Sequence, residues 1–187
     1  IVYLAGNPNA GKSTLFNRLT GLRQKTSNLP GTTVEKRSGT WNLPDGKVCI
    51  LTDLPGAYGF LAASEDESQV LNAFADTDKW PDAIIYVADA SNLERHLLFF
   101  TELAALGIPM LLALSMTDMA AARGLQIDTH VLSAELGVLV IPLPPGDEKA
   151  LQQLAAKAAA SPSPCSSCRN RASATRNGTE IRPAGPR

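Results

Sequence analysis

One segment restricts this chain more than any other: Gly6-Asn-Pro-Asn-Ala-Gly-Lys-Ser13, which fits G-x-x-x-x-G-K-[ST] in full. An apolar strand-like run at 1–5 precedes it and a helix-like run at 12–20 follows it. A phosphate-binding loop needs that strand–loop–helix setting. Gly6 and Gly11 let successive N–H groups turn toward one anion, and the helix adds its positive N-terminus. Lys12 then reaches the β- and γ-phosphates, and the Ser13 hydroxyl ligates Mg²⁺. Ala10, Gly11 and Thr14 complete the expected contact with the nucleotide. The segment predicts a nucleoside triphosphate with magnesium.

The rest of the chain alternates strand-like and helix-like segments, which argues for a sheet flanked by helices. Strands are expected at 1–5, 35–42, 47–53, 83–88, 110–114 and 138–141. Pro44-Asp45-Gly46 is a turn signal, so 35–42 and 47–53 read as an antiparallel hairpin in an otherwise parallel sheet. Residues 22–34 lack periodicity and read as a loop. Helices are expected at 12–20, 65–77, 91–106, 129–136 and 148–160. Ser91-x-x-Glu94 reads as a capping box. Leu93, Leu97, Phe100 and Ala104 form a stripe that packs on the sheet. The fold class is α/β, a P-loop NTPase with a mostly parallel six-stranded sheet, one antiparallel edge strand and helices on both faces.

Composition marks a boundary at 161. The hydrophobic fraction of 44% suits a real core. Residues 161–187 are rich in Ser, Pro and Arg and nearly free of large apolar side chains, so a domain at 1–160 and a disordered tail are expected. The tail holds five Arg and one Glu, a net of +4, inside a chain of net charge −1. That balance gives no reason to expect a nucleic-acid partner. Cys49 reads as a small core residue, and Cys165 and Cys168 as a lone pair short of the four ligands of a structural zinc site. No apolar run approaches the roughly 18–20 residues that span a bilayer. The chain opens inside a strand without Met and reads as part of a longer protein, which leaves a membrane segment elsewhere open.

Three further motifs bear on the nucleotide. Asp53-Leu-Pro-Gly56 ends a strand, where the carboxylate can hold Mg²⁺ through water and the Gly56 N–H can approach a γ-phosphate. In the loop Gly31-Thr32-Thr33, a threonine hydroxyl can join the Mg²⁺ shell, or simply start a strand. Ser115-Met116-Thr-Asp118 follows a strand, where guanine readers place Asn-Lys-x-Asp or Asn-x-x-Asp. Asp118 can accept from guanine N1–H and the exocyclic amine, or else cap a helix; Ser115 has less reach than Asn. His96 and His130 read as surface or half-buried residues, and Glu65, Asp66 and Glu67 as a solvated helix start.

In order along the chain these motifs resemble a Ras-like, translation-factor-related (TRAFAC) GTPase domain. They are most similar to the cytoplasmic N-terminal G domain of the ferrous iron transport protein B family. The likeness rests on G-N-P-N-A-G-K-S-T-L-F-N-R-L-T-G at 6–21, G-T-T-V-E-K-R-S-G at 31–39 and D-L-P-G-A-Y at 53–58. It continues in P-D-A-I-I-Y-V-A-D-A-S-N-L-E-R-H-L at 81–97 and M-T-D-M-A-A-A-R-G at 116–124, and covers roughly 1–155. The resemblance implies GTP and GDP as ligands and Mg²⁺-dependent GTP hydrolysis. It also implies a regulatory role beside a membrane transport domain in the parent, at the cytoplasmic face of the bacterial inner membrane, and allows a homo-oligomer. It makes Thr33 the switch threonine and Asn9 a K⁺ ligand, with K⁺ supplying charge that an arginine finger supplies elsewhere. Lys12, Thr33 and Gly56 are the implied catalytic group. The implied Mg²⁺ set is Ser13, Thr33 and Asp53. Ala57 stands where Ras-like proteins place a catalytic Gln. The sequence departs from the family pattern at Ser115 and at Pro142-Leu-Pro-Pro-Gly146, where base-contacting N–H groups are reduced. The family's helical domain and channel have no counterpart in 161–187. Two rival readings are a non-catalytic guanine-nucleotide switch, suggested by Ala57 and the weak base loop, and a ribosome- or RNA-associated GTPase using the Arg-rich tail.

Overall fold

A computed structural model describes residues 1–21, 24–27, 36–60, 65–75 and 80–160. The strands are β1 (Val2–Ala5), β2 (Gln24–Ser27), β3 (Lys36–Asn42), β4 (Val48–Asp53), β5 (Ala83–Asp89), β6 (Met110–Ser115) and β7 (Leu139–Pro142). The helices are α1 (Lys12–Thr20), α2 (Glu65–Ala75), α3 (Leu93–Ala104), α4 (Thr117–Ala122), α5 (Thr129–Leu136) and α6 (Glu148–Ala160). Together the strands form one sheet in the order β2-β3-β4-β1-β5-β6-β7.

Strand alternation sorts the core into two layers. Tyr3 and Ala5 of β1, Ile84, Tyr86 and Ala88 of β5, and Leu112 and Leu114 of β6 face one way, against Val70 and Phe74 of α2 and Phe99, Phe100 and Leu103 of α3. Val2, Leu4, Ile85, Val87, Leu111 and Ala113 face the other way, against Leu15 and Phe16 of α1 and Leu151, Leu154 and Ala155 of α6. Burial on both faces is why the central strands read as continuous apolar runs. Each fully buried large side chain contributes about 1.5–3 kcal/mol.

The α/β class, the parallel centre and the β3–β4 hairpin are as expected, with β3 antiparallel to β4 from Arg37↔Asp53 to Asn42↔Val48. The sheet has one strand more than the expected six. β2 pairs antiparallel with β3 over Gln24↔Gly39 to Ser27↔Lys36, so β3 is not the edge. Gln-Lys-Thr-Ser has no apolar alternation, and such a strand is specified by backbone pairing rather than by pattern.

Several local expectations change. Ser91 does not cap a helix: Asp89 accepts from the Ser91 N–H and opens a 3₁₀ turn over Ala90–Asn92, and α3 begins only at Leu93, with Asn92 as its N-cap and no side-chain cap bond. The buried stripe of α3 is His96, Phe99, Phe100 and Leu103, with Leu93 and Leu97 at its margin and Ala104 exposed. The face that meets the sheet is thus turned by one residue from the expected stripe. His96 is therefore buried, at 5% exposure. Glu67 is also buried rather than solvated; the side chains of Glu65 and Asp66 lie outside the described residues. Helix α4 was not foreseen, because six residues are too few to show a period. Cys49 is half-buried. The tail at 161–187, with Cys165 and Cys168, lies outside the described residues.

Candidate nucleotide site

The parallel strands β1, β4, β5 and β6 deliver their C-terminal loops to one edge of the sheet. Leu4 is level with Asp53, Ala5 with Tyr86, and Asp89 with Ser115. Chain order reverses at β1, between β4 and β5, and ligands of such sheets bind at the strand ends beside that reversal. The segment 6–13 sits there.

Gly6 has φ 147°, and a Cβ on it would lie 2.3 Å from the Val87 carbonyl oxygen, so only glycine fits between β1 and β5. Asn9 is left-handed at φ 62° and exposed, a conformation Asn tolerates better than most residues. Gly11 is the left-handed N-cap of α1. Lys12 is buried, with Nζ 3.4 Å from the Asn7 carbonyl oxygen, while Ser13 and Thr14 at the head of α1 are exposed.

Asp53 ends β4 with Oδ1 buried and without a hydrogen-bond partner. Burial pushes its pKa from 3.8 to about 6, against the pull of Lys12 and Arg37. A buried acceptor with no donor is costly. Its carboxylate and the exposed Ser13 hydroxyl are hard oxygen donors of the kind Mg²⁺ takes, so the residues present fit that ion. Asn9 offers a neutral amide oxygen suited to K⁺. Gly56 lies against the phosphate loop: a Cβ on it would come within 2.8 Å of Pro8 Cα. Ala57 is buried at 1% exposure, so nothing at this position reaches toward a water.

The Ser115 hydroxyl ties β6 to its neighbours, with Oγ 2.7 Å from the Ala10 carbonyl oxygen and 3.0 Å from that of Ala88. One proton serves two acceptors. Met116 follows at φ 53°, a left-handed residue that is the N-cap of α4 without a side-chain cap bond. Asp118 lies exposed in the first turn of α4 and does not occupy the cap position. In 142–146 the prolines have no N–H and the Leu143 N–H donates to the Leu114 carbonyl. The Gly146 N–H is thus the single amide of this loop not spent within the described fold. Gly31, Thr32 and Thr33 lie outside the described residues.

Sequence reasoning missed a second layer behind the loop. Asn7 is 1% exposed and Tyr86 0%, and the Tyr86 hydroxyl donates toward Asn7 Oδ1 (2.9 Å) and the His96 carbonyl (2.6 Å). A tyrosine inside the apolar run 83–88 was the available signal, since a buried hydroxyl needs a partner.

The sheet order, the glycine-bound loop at the β1 end and the acidic strand end at β4 define a P-loop GTPase-fold domain. Comparison with known proteins makes this specific: residues 1–158 match the family model described as ferrous iron transport protein B, and the chain belongs to that family. It is 44% identical over 140 residues to the Fe(2+) transporter FeoB of Leptospira biflexa serovar Patoc, covering 75% of this chain and 20% of that protein. It is 47% identical over 142 residues to that of Legionella pneumophila strain Lens, covering 75% and 19%. The chain thus spans about a fifth of the curated relatives it matches. Among solved structures, the cytosolic domain of L. pneumophila FeoB aligns with TM-score 0.73 at 42% identity, over 85% of this chain and 60% of that one. A GDP-bound S. thermophilus NFeoB variant aligns with TM-score 0.77 at 37% identity, over 86% and 61%. The FeoB G-domain from Methanococcus jannaschii aligns with TM-score 0.72 at 34% identity, over 86% and 95%.

Proposed function

We propose that this domain binds GTP and GDP and hydrolyses GTP, as the cytoplasmic regulatory domain of a ferrous iron membrane transporter at the bacterial inner membrane. The observation that carries the reading is the orphaned Asp53 oxygen at the end of β4, level with Leu4 just before the phosphate loop and within the field of Lys12, together with the Gly56–Pro8 contact. GDP on the aligned S. thermophilus domain supports guanine as the base. No described helix is long and apolar enough to cross a membrane.

The chain's residues divide the work. Backbone N–H groups of 9–14 and the α1 N-terminus hold the phosphates. Lys12 leaves its resting contact on the Asn7 carbonyl to reach the β- and γ-phosphates. Asp118 accepts from the guanine edge, and Ser115 braces the loop that presents it. Ser13, Asp53 and Thr33 would hold Mg²⁺, and Asn9 would hold K⁺; bound there, the two ions neutralise charge developing on the phosphates. Gly56 offers its N–H to the γ-phosphate. Water is positioned by backbone groups, because Ala57 has no side chain to do so.

The test is multiple-turnover phosphate release with GTP or ATP, in KCl or NaCl, with Mg²⁺. The expected result is release from GTP alone, faster in KCl. Nucleotide binding without release in either salt would establish the second reading, a non-catalytic switch, which the buried Ala57 favours.

A further inference from the structure

We propose that Tyr86 and Asn7 are a positioning pair which, through Arg95, holds the phosphate loop and the 56–60 segment in one arrangement for hydrolysis. The inference rests on the GTPase reading and assigns roles to Asn7, a variable position of the phosphate loop, and to Tyr86 and Arg95, which lie outside the nucleotide motifs. Asn7 is the second residue of the phosphate loop, and its backbone carbonyl accepts from Lys12 Nζ (3.4 Å) and from the Ala10 N–H (3.3 Å). Its side chain faces away from the nucleotide edge, into the core. There Oδ1 accepts from the Tyr86 hydroxyl at 2.9 Å, and Nδ2 donates to the Arg95 carbonyl at 3.5 Å. The Tyr86 hydroxyl also reaches the His96 carbonyl at 2.6 Å. Burial pushes the Tyr86 pKa well above the ordinary tyrosine range, so the group remains a donor. The loop that carries Lys12 is therefore fastened to the first turns of α3.

Helix α3 also holds the other side of the site. The Arg95 guanidinium lies over the Tyr58 ring at 4.5 Å, and Glu102 Oε2 accepts from the Phe60 N–H at 2.7 Å. Tyr58 and Phe60 lie within four residues after Gly56. Arg95 thus touches the phosphate loop with its carbonyl and the 56–60 segment with its side chain. Reacting groups displaced by about 1 Å lose roughly 100-fold in rate, so a connection of this kind acts on turnover more than on affinity.

The experiment compares single-turnover GTP hydrolysis with GDP affinity in wild type, Tyr86→Phe, Arg95→Ala and the double variant. Tyr86→Phe keeps the ring that packs edge-on to Phe99 and Phe100, and Arg95 is exposed. The expected result is a loss of about tenfold in the hydrolysis constant for each single variant, with GDP affinity within about twofold. The double variant is expected to be no slower than the slower single, because both act through one connection. Hydrolysis at the wild-type rate in either folded single variant overturns the proposal, and so do losses that multiply. If Tyr86→Phe does not fold, Arg95→Ala decides alone. If the wild type binds GTP but does not turn it over, the GTPase reading fails, and the pair is read from the ratio of GTPγS to GDP affinity. A lowered ratio in the variants supports the pair, and an unchanged ratio overturns it.

Discussion

At the scale of single residues, Ser115 and Asp53 show how little of a side chain's role lies in its identity. Ser115 Oγ has one proton and two carbonyls within 3.0 Å, those of Ala10 and Ala88. An Asn amide has two N–H donors and can serve both. Ser115→Asn is therefore expected to tighten GDP by about fivefold to tenfold, the worth of about one net hydrogen bond. Titration with a fluorescent GDP analogue checks this, and unchanged affinity refutes the account of the loop. Asp53 makes the opposite contribution to stability. Its folded pKa, about 6, stands above 3.8, so the folded state holds this proton more tightly than the unfolded state. Stability from this group is full below about pH 4, falls as pH rises to about 6, and is then flat. Burial lowers the His96 pKa, which gives the opposite slope up to its ordinary 6.5. Asp53→Asn removes the fall and leaves the rise. In EDTA without nucleotide at pH 7, it is expected to be on the order of 2–3 kcal/mol more stable than wild type by urea unfolding. The same variant is expected to lose the Mg²⁺ dependence of GTP affinity.

At the scale of elements, α1 and β3 are fitted to each other at Gly39. A Cβ there would meet Thr20 Cγ2 at 2.7 Å and Phe16 Cζ at 3.1 Å, and Thr20 is itself fixed by donating to the Phe16 carbonyl at 2.8 Å. Gly39→Ala must displace α1, at a cost of about 1–3 kcal/mol. Because α1 begins at Lys12, the variant is expected to weaken GDP binding as well as lower the urea midpoint. A change in the midpoint alone would show that α1 moves without its N-terminus. The strong elements were legible because pattern and burial coincide: β5 and β6 are apolar on both faces, and α6 carries a regular stripe. The weak ones were not. β2 is polar throughout and α4 spans only six residues. The α3 start moved because Asp89, at the end of the preceding strand, caps the turn before it.

At the scale of the whole molecule, we propose that the domain is complete within residues 1–160, because among the described residues both faces of the sheet are covered by helices. The last helix is buried through Leu154, Ala155 and Ala158. A chain ended after Ala160 is therefore expected to keep its thermal midpoint and its GDP affinity, as differential scanning calorimetry and nucleotide titration will show. A drop in either would place part of 161–187 in the domain.

The sequence by itself determined the phosphate loop, the strand ends at Asp53 and Ser115, the two-layer class and the family resemblance. Those features are local, carried by glycine spacing, alternation and short motifs that hold whatever surrounds them. Only the tertiary structure decided the place of β2, the orphaned oxygen of Asp53, the shared proton of Ser115 and the fastening of Asn7 to Tyr86 and Arg95. Each depends on burial or on pairing between segments far apart in the chain. Asn7 and Tyr86 are 79 positions apart, and no local pattern records that one hydroxyl meets one amide.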